Sequence, residues 1–257
     1  MRHTSLRWLI LAIISLTSGS LISLSEILIS KKIDSSLPDS SKVLEFNRAG
    51  TLTFLSTKGK VIQKIGPVTR DKIAIEDVPP HVKGAFLASE DRRFYEHKGI
   101  DIWGISRALL TNLNQRSIKE GGSTITQQLA RTVFLSQDKT ITRKLKEAAL
   151  AFKIERQLNK KEILEQYLNN VYLGSSAYGI ADAAWVYFSK TPDQLNLQEA
   201  ALIAGLPPAP SVYSPLVNPE LAKERRSIVL NRMRQAGFIT ASEAEQARTS
   251  PLDLKPA

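Results

Sequence analysis

The stretch Ala88-Ser89-Glu90-Asp91-Arg92-Arg93-Phe94-Tyr95-Glu96-His97 packs three acids, two arginines, a histidine and two aromatics into ten residues. A packed core does not absorb that mixture, because buried charges need partners. A solvated loop gives two aromatics no reason to be there. The chemistry that suits these types is a cleft wall. One carboxylate there would take or give a proton, beside cations that bind an anion. The same residues also read as the start of an exposed, salt-bridged helix, and residue types alone do not separate the two.

Three other segments share this character. Gly121-Gly122-Ser123-Thr124 precedes a helix, where free backbone N–H groups at the positive dipole end can hold an anion; a plain turn reads equally from the same residues. Gln127-Gln128-Leu129-Ala130-Arg131 sets two amides and a cation on that helix. Arg143-Lys144-Leu145-Lys146-Glu147 gathers three cations and one acid. Arg143 and Glu147 share a face at i, i+4, which as a surface ion pair is worth roughly 0.3–0.5 kcal/mol. The base leads the acid, however, which is the weaker order for helix stability and favours a ligand-directed role. Lys161 to Gly174 mixes packing positions with Asn169 and Asn170 near a helix end.

These groups must be positioned by elements, and the signals for those are mostly helical from His81 onward. Asp101 can cap a helix over 102–113. Thr124 with Gln127 makes a capping box opening a helix towards Leu135. Thr142 to Leu158 is rich in helix formers. Lys160 to Leu173 puts Ile163, Leu164, Tyr167, Leu168, Val171 and Tyr172 on one stripe, stopped by Gly174. Asn196 with Glu199 boxes a helix ended by Gly205-Leu206-Pro207-Pro208. Asn218-Pro219 supplies a cap and an N1 proline for a helix to Gly237, and Thr240 with Glu243 starts a last one. Upstream, 51–55 and 60–65 flank Ser56-Thr57-Lys58-Gly59 as a hairpin. Strand–helix alternation, G-x-G-x-x-G and G-x-x-x-x-G-K-[ST] are all missing, so nucleotide-sugar and ATP chemistry lose support.

Composition narrows the partners. Lys+Arg total 35 against 25 acids, a net charge of +10, which suits an anionic partner such as nucleic acid, acidic lipid or a phosphorylated substrate. No cysteine is present, so disulfides and thiolate metal sites are excluded. His3, His81 and His97 are too scattered for a histidine cluster, and a metal would have to be oxygen-loving, such as Mg or Mn. Trp8 to Ser25 carries no charge and lies between basic flanks, as an uncleaved membrane anchor would, and this favours a membrane setting over nucleic acid. The competing reading is a cleaved signal peptide, but no A-x-A site follows. Residues 33–42 read as a polar linker.

The charged segments together closely resemble the peptidoglycan glycosyltransferases, glycosyltransferase family 51, the domain of monofunctional transglycosylases and of the N-terminal part of class A penicillin-binding proteins. Five motifs carry the resemblance in order: Glu90 to His97, Gly121 to Leu129, Arg143 to Glu147, Ile163 to Gly174, and Glu199 to Pro207. The resemblance spans about Pro79 to Pro215 and weakens towards Pro251. It implies a mainly α, lysozyme-like glycosyltransferase domain over 79–257, preceded by a transmembrane signal-anchor over 1–30 and a linker with a short β segment over 31–78. It implies polymerisation of lipid II, with the growing glycan-lipid chain, into β-1,4-linked strands. Undecaprenyl pyrophosphate is released and the anomeric carbon inverts.

By the same resemblance Glu90 is the general base and Glu147 the second catalytic carboxylate. Asp91, Ser123, Thr124, Gln127, Gln128, Arg131, Arg143 and Lys144 would bind substrate, and Mg or Mn would sit at Glu90 if a metal is used. Arg131 and Thr132 depart from the family's usual lysine and asparagine, and a guanidinium need not hold phosphate as an ammonium does. The implied setting is the bacterial inner membrane, catalytic domain outward, among cell-wall synthesis proteins and without nucleic acid. Residues 102–118, with Trp103, Leu109, Leu110 and Leu113, would dip into lipid or pack as core. The sole S-x-x-K match, Ser136 to Lys139, falls inside the glycosyltransferase-like region and K-[ST]-G is missing, so transpeptidation is not expected of these residues. Two other readings stay open: a lysozyme-like glycan hydrolase or lytic transglycosylase, and a non-catalytic anchored scaffold.

Overall fold

In the computed structural model, residues 37–46, 52–65, 72–115, 121–135 and 140–256 are described. The anchor expected over Trp8 to Ser25 and the Ser136 to Lys139 match lie outside them. Among the described residues no helix is long and apolar enough to cross a membrane.

The elements run α1 (Lys42–Glu45), β1 (Leu52–Leu55), β2 (Val61–Ile65), α2 (Pro80–Glu90), α3 (Ile102–Gln115), α4 (Ile125–Phe134), α5 (Ile141–Gln157), α6 (Lys160–Asn170), α7 (Ile180–Phe188), α8 (Leu197–Ile203), α9 (Pro210–Tyr213), α10 (Pro219–Gln235) and α11 (Ala241–Thr249), with a 3₁₀ turn at Pro192–Gln194. The molecule is mainly helical. β1 and β2 form an antiparallel hairpin, Leu52 opposite Ile65, with a bulge at Phe54/Leu55. Ser40–Ala257 forms one compact unit that includes this hairpin.

Side-chain caps set the starts of α4, α5, α6, α8 and α11. Thr124, Asn196 and Thr240 each complete a capping box, as expected. Asn159 completes another for α6. Three expectations shift. α5 is capped by Thr140, ahead of Thr142. α6 stops at Asn170, because Val171 is extended and Tyr172 instead bridges to Tyr178. Asn218 makes no side-chain cap on α10; its amide donates to the Val212 carbonyl at 2.8 Å.

Two sets of helices build the core around the site. α4 packs on α5 and α6, and α10 packs on α2, α8 and α11. Ile125, Leu129, Leu150, Ile154, Ile163, Leu164, Tyr167 and Leu168 fill the first set, and Phe86, Ala201, Leu202, Val229 and Met233 fill the second. Each fully buried leucine or isoleucine contributes about 1.5–3 kcal/mol relative to exposure. Phe86 meets Tyr167 edge to face at 6.2 Å between ring centroids and so joins α2 to α6.

Candidate active site

α2 is buried almost all round, and its last residue is Glu90, which brings one polar carboxylate to the mouth of an apolar helix. The chain then leaves the helix, and Asp91 to Glu96 form turns. The charged stretch is therefore a helix end opening onto a cleft, not a helix start. The cleft encloses about 440 Å³ and is lined by Glu90, Asp91, Ser123, Thr124, Gln128 and Arg131 of the expected residues.

Glu90 is half-buried. Its Oε2 accepts a hydrogen bond from the Gln128 amide at 2.8 Å, and its Oε1 accepts from Ser89 Oγ at 3.3 Å. Burial raises its pKa above the ordinary carboxylate value; the Gln128 bond, Arg225, Ser89 and Arg232 oppose that rise. A carboxylate held this way accepts a proton more readily than a solvated one.

Asp91, Thr124 and Gln127 occupy their polar atoms internally. His97 accepts the Gly99 N–H at Nδ1 (3.2 Å), so its Nε2 is the nitrogen that donates to Asp91 (2.9 Å). Asp91 also accepts the Ile125 N–H at 3.0 Å. The Gln127 side chain takes the Thr124 N–H, and Thr124 Oγ1 takes the Gln127 N–H and donates to the Gly99 carbonyl at 2.6 Å. The Thr124, Ile125 and Gln127 amides at the start of α4 thus meet side chains of the protein itself. Gln127 is buried and does not line the cleft. Gly122 lets α3 approach, since a Cβ there would meet Ile105 at 3.2 Å.

The Arg143 to Glu147 segment forms a second centre on α5, beside the cleft rather than in its lining. Glu147 is fully buried, so its pairing is not the exposed ion pair of a surface helix. Arg143 pairs with one of its oxygens, and Lys144 Nζ lies 2.9 Å from the other. Lys144 also donates to Ser123 Oγ at 2.7 Å, which ties this centre to the cleft rim.

Several cleft residues escaped the sequence reading. Arg225 and Arg232 on α10, Arg107 and Tyr213 all line it, beside Arg92 of the opening charged stretch. Arg225 stacks over the Tyr213 ring at 4.9 Å, and burial lowers its pKa. Arg232 donates to the Ser89 carbonyl at 2.8 Å, next to Glu90. A signal for this pair existed. Arg225 and Arg232 are seven apart with the fully buried Val229 between them, so two cations sit on a core-facing stripe.

The sequence model of the family described as Transglycosylase matches residues 58–234, more than half of the chain. The chain belongs to the transglycosylase family. It is 46% identical over 211 residues to penicillin-binding protein 1A of Neisseria flavescens, covering 82% of this chain and 26% of that protein. It is 47% identical over 219 residues to penicillin-binding protein 1A of Aquifex aeolicus, covering 85% and 30%. The crystal structure of penicillin-binding protein 1A from Haemophilus influenzae aligns with a TM-score of 0.50 at 26% identity, over 82% of this chain and 22% of that one. The chain spans only 26–30% of the length of these curated relatives. The family resemblance of the five motifs and the mainly helical fold are borne out.

Proposed function

We propose that this chain is a peptidoglycan glycosyltransferase that polymerises lipid II. The observation that carries the reading is Glu90, a half-buried carboxylate of raised pKa in a cleft walled by Arg131, Arg225 and Arg232. Glu90 would take the proton of the acceptor's 4-hydroxyl as that oxygen attacks the donor's anomeric carbon. The C–O bond to the lipid pyrophosphate breaks on the opposite face, giving inversion and a β-1,4 bond. The departing pyrophosphate gains charge that fixed cations stabilise. Arg131 in the cleft and Lys144 at its rim, with Arg143 behind, are the groups proposed for that task. Ser123 and Gln128 supply polar contacts near the donor, and Asp91, Thr124 and Gln127 serve by holding α4.

The residues present do not suit Mg or Mn at Glu90. Its carboxylate faces an amide N–H and two guanidiniums, Glu147 already bears two cations, and among the described residues no cluster of three acids or histidines forms. The arginine-walled cleft also favours polymerisation over a lysozyme-like hydrolase, since cleaving a neutral glycosidic bond needs no pyrophosphate site.

The domain organisation belongs to the same proposal: an anchor over 1–30, a linker and β segment over 31–78, and a lysozyme-like catalytic unit over 79–257. That organisation places the cleft outside the bacterial inner membrane, where lipid II and the growing glycan-lipid chain are displayed. The test is lipid II polymerisation by the full chain in detergent, with Glu90→Gln alongside and products resolved by gel. Glycan strands from the first and none from the second are expected. Strands from both would overturn the role of Glu90.

A further inference from the structure

Tyr167 sits in the fourth motif, where the apolar stripe of α6 accounts for it as packing. Its environment holds more than packing. The residue is 2% exposed, and its hydroxyl donates to Gln128 Oε1 at 3.3 Å. The other end of that same amide donates to Glu90 Oε2 at 2.8 Å. A primary amide has a donating end and an accepting end. Presented the wrong way round, its oxygen would face the carboxylate and repel it. Tyr167 gives its proton to Oε1, which supports the orientation in which the amide N–H₂ meets Glu90.

We propose that Tyr167 is a positioning residue for proton transfer at Glu90, acting through Gln128. The inference rests on the reading of Glu90 as general base. The relay leaves Glu90 Oε1, which carries the longer bond from Ser89, as the oxygen available to the acceptor's hydroxyl. Burial first, and then the charge of Glu90, push the Tyr167 phenol well above its ordinary pKa, so it stays a donor. The groups that face Glu90 are few. Among the described residues, Arg225 and Arg232 approach from α10, Gln128 from α4 and Ser89 from α2 itself, with Asp91 next in the chain. Tyr167 from α6 feels Glu90, Asp91 and the Arg131 charge. Among these, the Gln128 bond is the largest influence opposing the rise of the Glu90 pKa. Its loss therefore moves Glu90 further up and leaves less of it ionised at a given pH.

The experiment is the pH dependence of lipid II polymerisation by the full chain, comparing wild type with Tyr167→Phe, Gln128→Met, the double variant and Glu90→Gln. Tyr167→Phe is expected to lower kcat roughly three- to tenfold at neutral pH with KM little changed. Its acidic limb should move to higher pH, so the deficit shrinks as the medium becomes alkaline. Gln128→Met should move the limb the same way, and the double variant should be no worse than Gln128→Met alone. A loss uniform across pH, with the limb where wild type has it, would leave Tyr167 a packing residue and overturn the relay. If Tyr167→Phe does not fold by circular dichroism, the limb of Gln128→Met decides in the same terms. Near-normal polymerisation by Glu90→Gln would sink the base assignment itself. An inactive Glu90→Gln beside an unshifted Tyr167→Phe would sink the relay alone.

Discussion

Glu90 and Glu147 are both acids withdrawn from bulk water, but their partners are opposite in kind. Glu90 ends α2 with an amide on one oxygen and a serine hydroxyl on the other, while its arginines act at longer range. Glu147 sits inside α5 with Arg143 and Lys144 in direct contact. Burial pushes up the pKa of the first. The second is a counter-ion that fixes where two cations stand. One fold thus gives two carboxylates different surroundings, a division that suits the proposed base on one side of a reacting centre and the proposed cationic clamp on the other.

The sharpest way to break this comparison is Glu90→Gln. Loss of a positioned general base should cost about 10²- to 10⁴-fold in kcat. Stability should respond in the opposite sense. A carboxylate whose folded-state pKa is raised contributes stability below its unfolded value and loses it as pH rises through the folded value. At neutral pH the ionised Glu90 is therefore a burden on the fold, and Glu90→Gln should unfold at the same temperature as wild type or higher. At pH 4 that advantage should vanish. A thermal melt series across pH reads this directly, and a variant clearly less stable at pH 7 would contradict it.

Glu147→Ala should show the reverse pattern. Removing the buried member of this pair takes the shared counter-ion from Arg143 and Lys144 and leaves a hole in the packing under α5, at a cost of about 1–2 kcal/mol, seen as a lowered urea midpoint with m unchanged. Activity should fall along with it, because Lys144 and Arg143 lose the group that aims them. Stability equal to wild type would mean that Glu147 is not the organiser its contacts suggest.

Which parts of this were legible in the sequence follows from how local each signal is. The capping boxes at Thr124, Asn196 and Thr240 involve residues three apart, and all three formed. The α6 stripe of Ile163, Leu164, Tyr167 and Leu168 is buried as its period requires, whereas Val171 and Tyr172 lie past the helix end. α2 and α7 gave no comparable signal. Val82, Gly84, Ala85, Phe86, Leu87, Ala88 and Ser89 are all buried, as are Ile180, Asp182, Ala183, Ala184, Tyr187 and Phe188, so neither helix has a polar face to set a period. Glu90 and Glu147 stood out as residue types, but their partners are tertiary. The bonds from Gln128 to Glu90 and from Arg232 to the Ser89 carbonyl span 38 and 143 residues. Arg225 and Arg232 carry no local signal apart from Val229 between them, whose burial marks the stripe as inward.

Asp91→Asn tests the support beneath the comparison. Asp91 joins His97 to the first turn of α4, the helix that carries Gln128 to Glu90. The substitution keeps the shape but weakens two hydrogen bonds to a charged acceptor, for a loss of about 1–2 kcal/mol. Activity should drop less than with Glu90→Gln, because Glu90 itself remains. A variant as dead as Glu90→Gln yet fully folded would mean that Asp91 meets substrate directly.

The smallest structural effect is expected from Lys144→Ala, which makes it the cleanest probe of function. The side chain is 46% exposed, so its pair with Glu147 is partly screened and its removal should change stability by no more than about 1 kcal/mol. Its other bond goes to Ser123 at the cleft rim, where the leaving pyrophosphate is proposed to lie. If that placement holds, lipid II turnover should fall far more than stability does, by about tenfold or more in kcat/KM, and most steeply at low salt where an exposed ammonium attracts phosphate best. Turnover unchanged in a stable Lys144→Ala would move the pyrophosphate away from the rim and onto the arginines of α4 and α10. Glu147 would then be left as a purely structural counter-ion, and the clamp half of the comparison would collapse into the cleft.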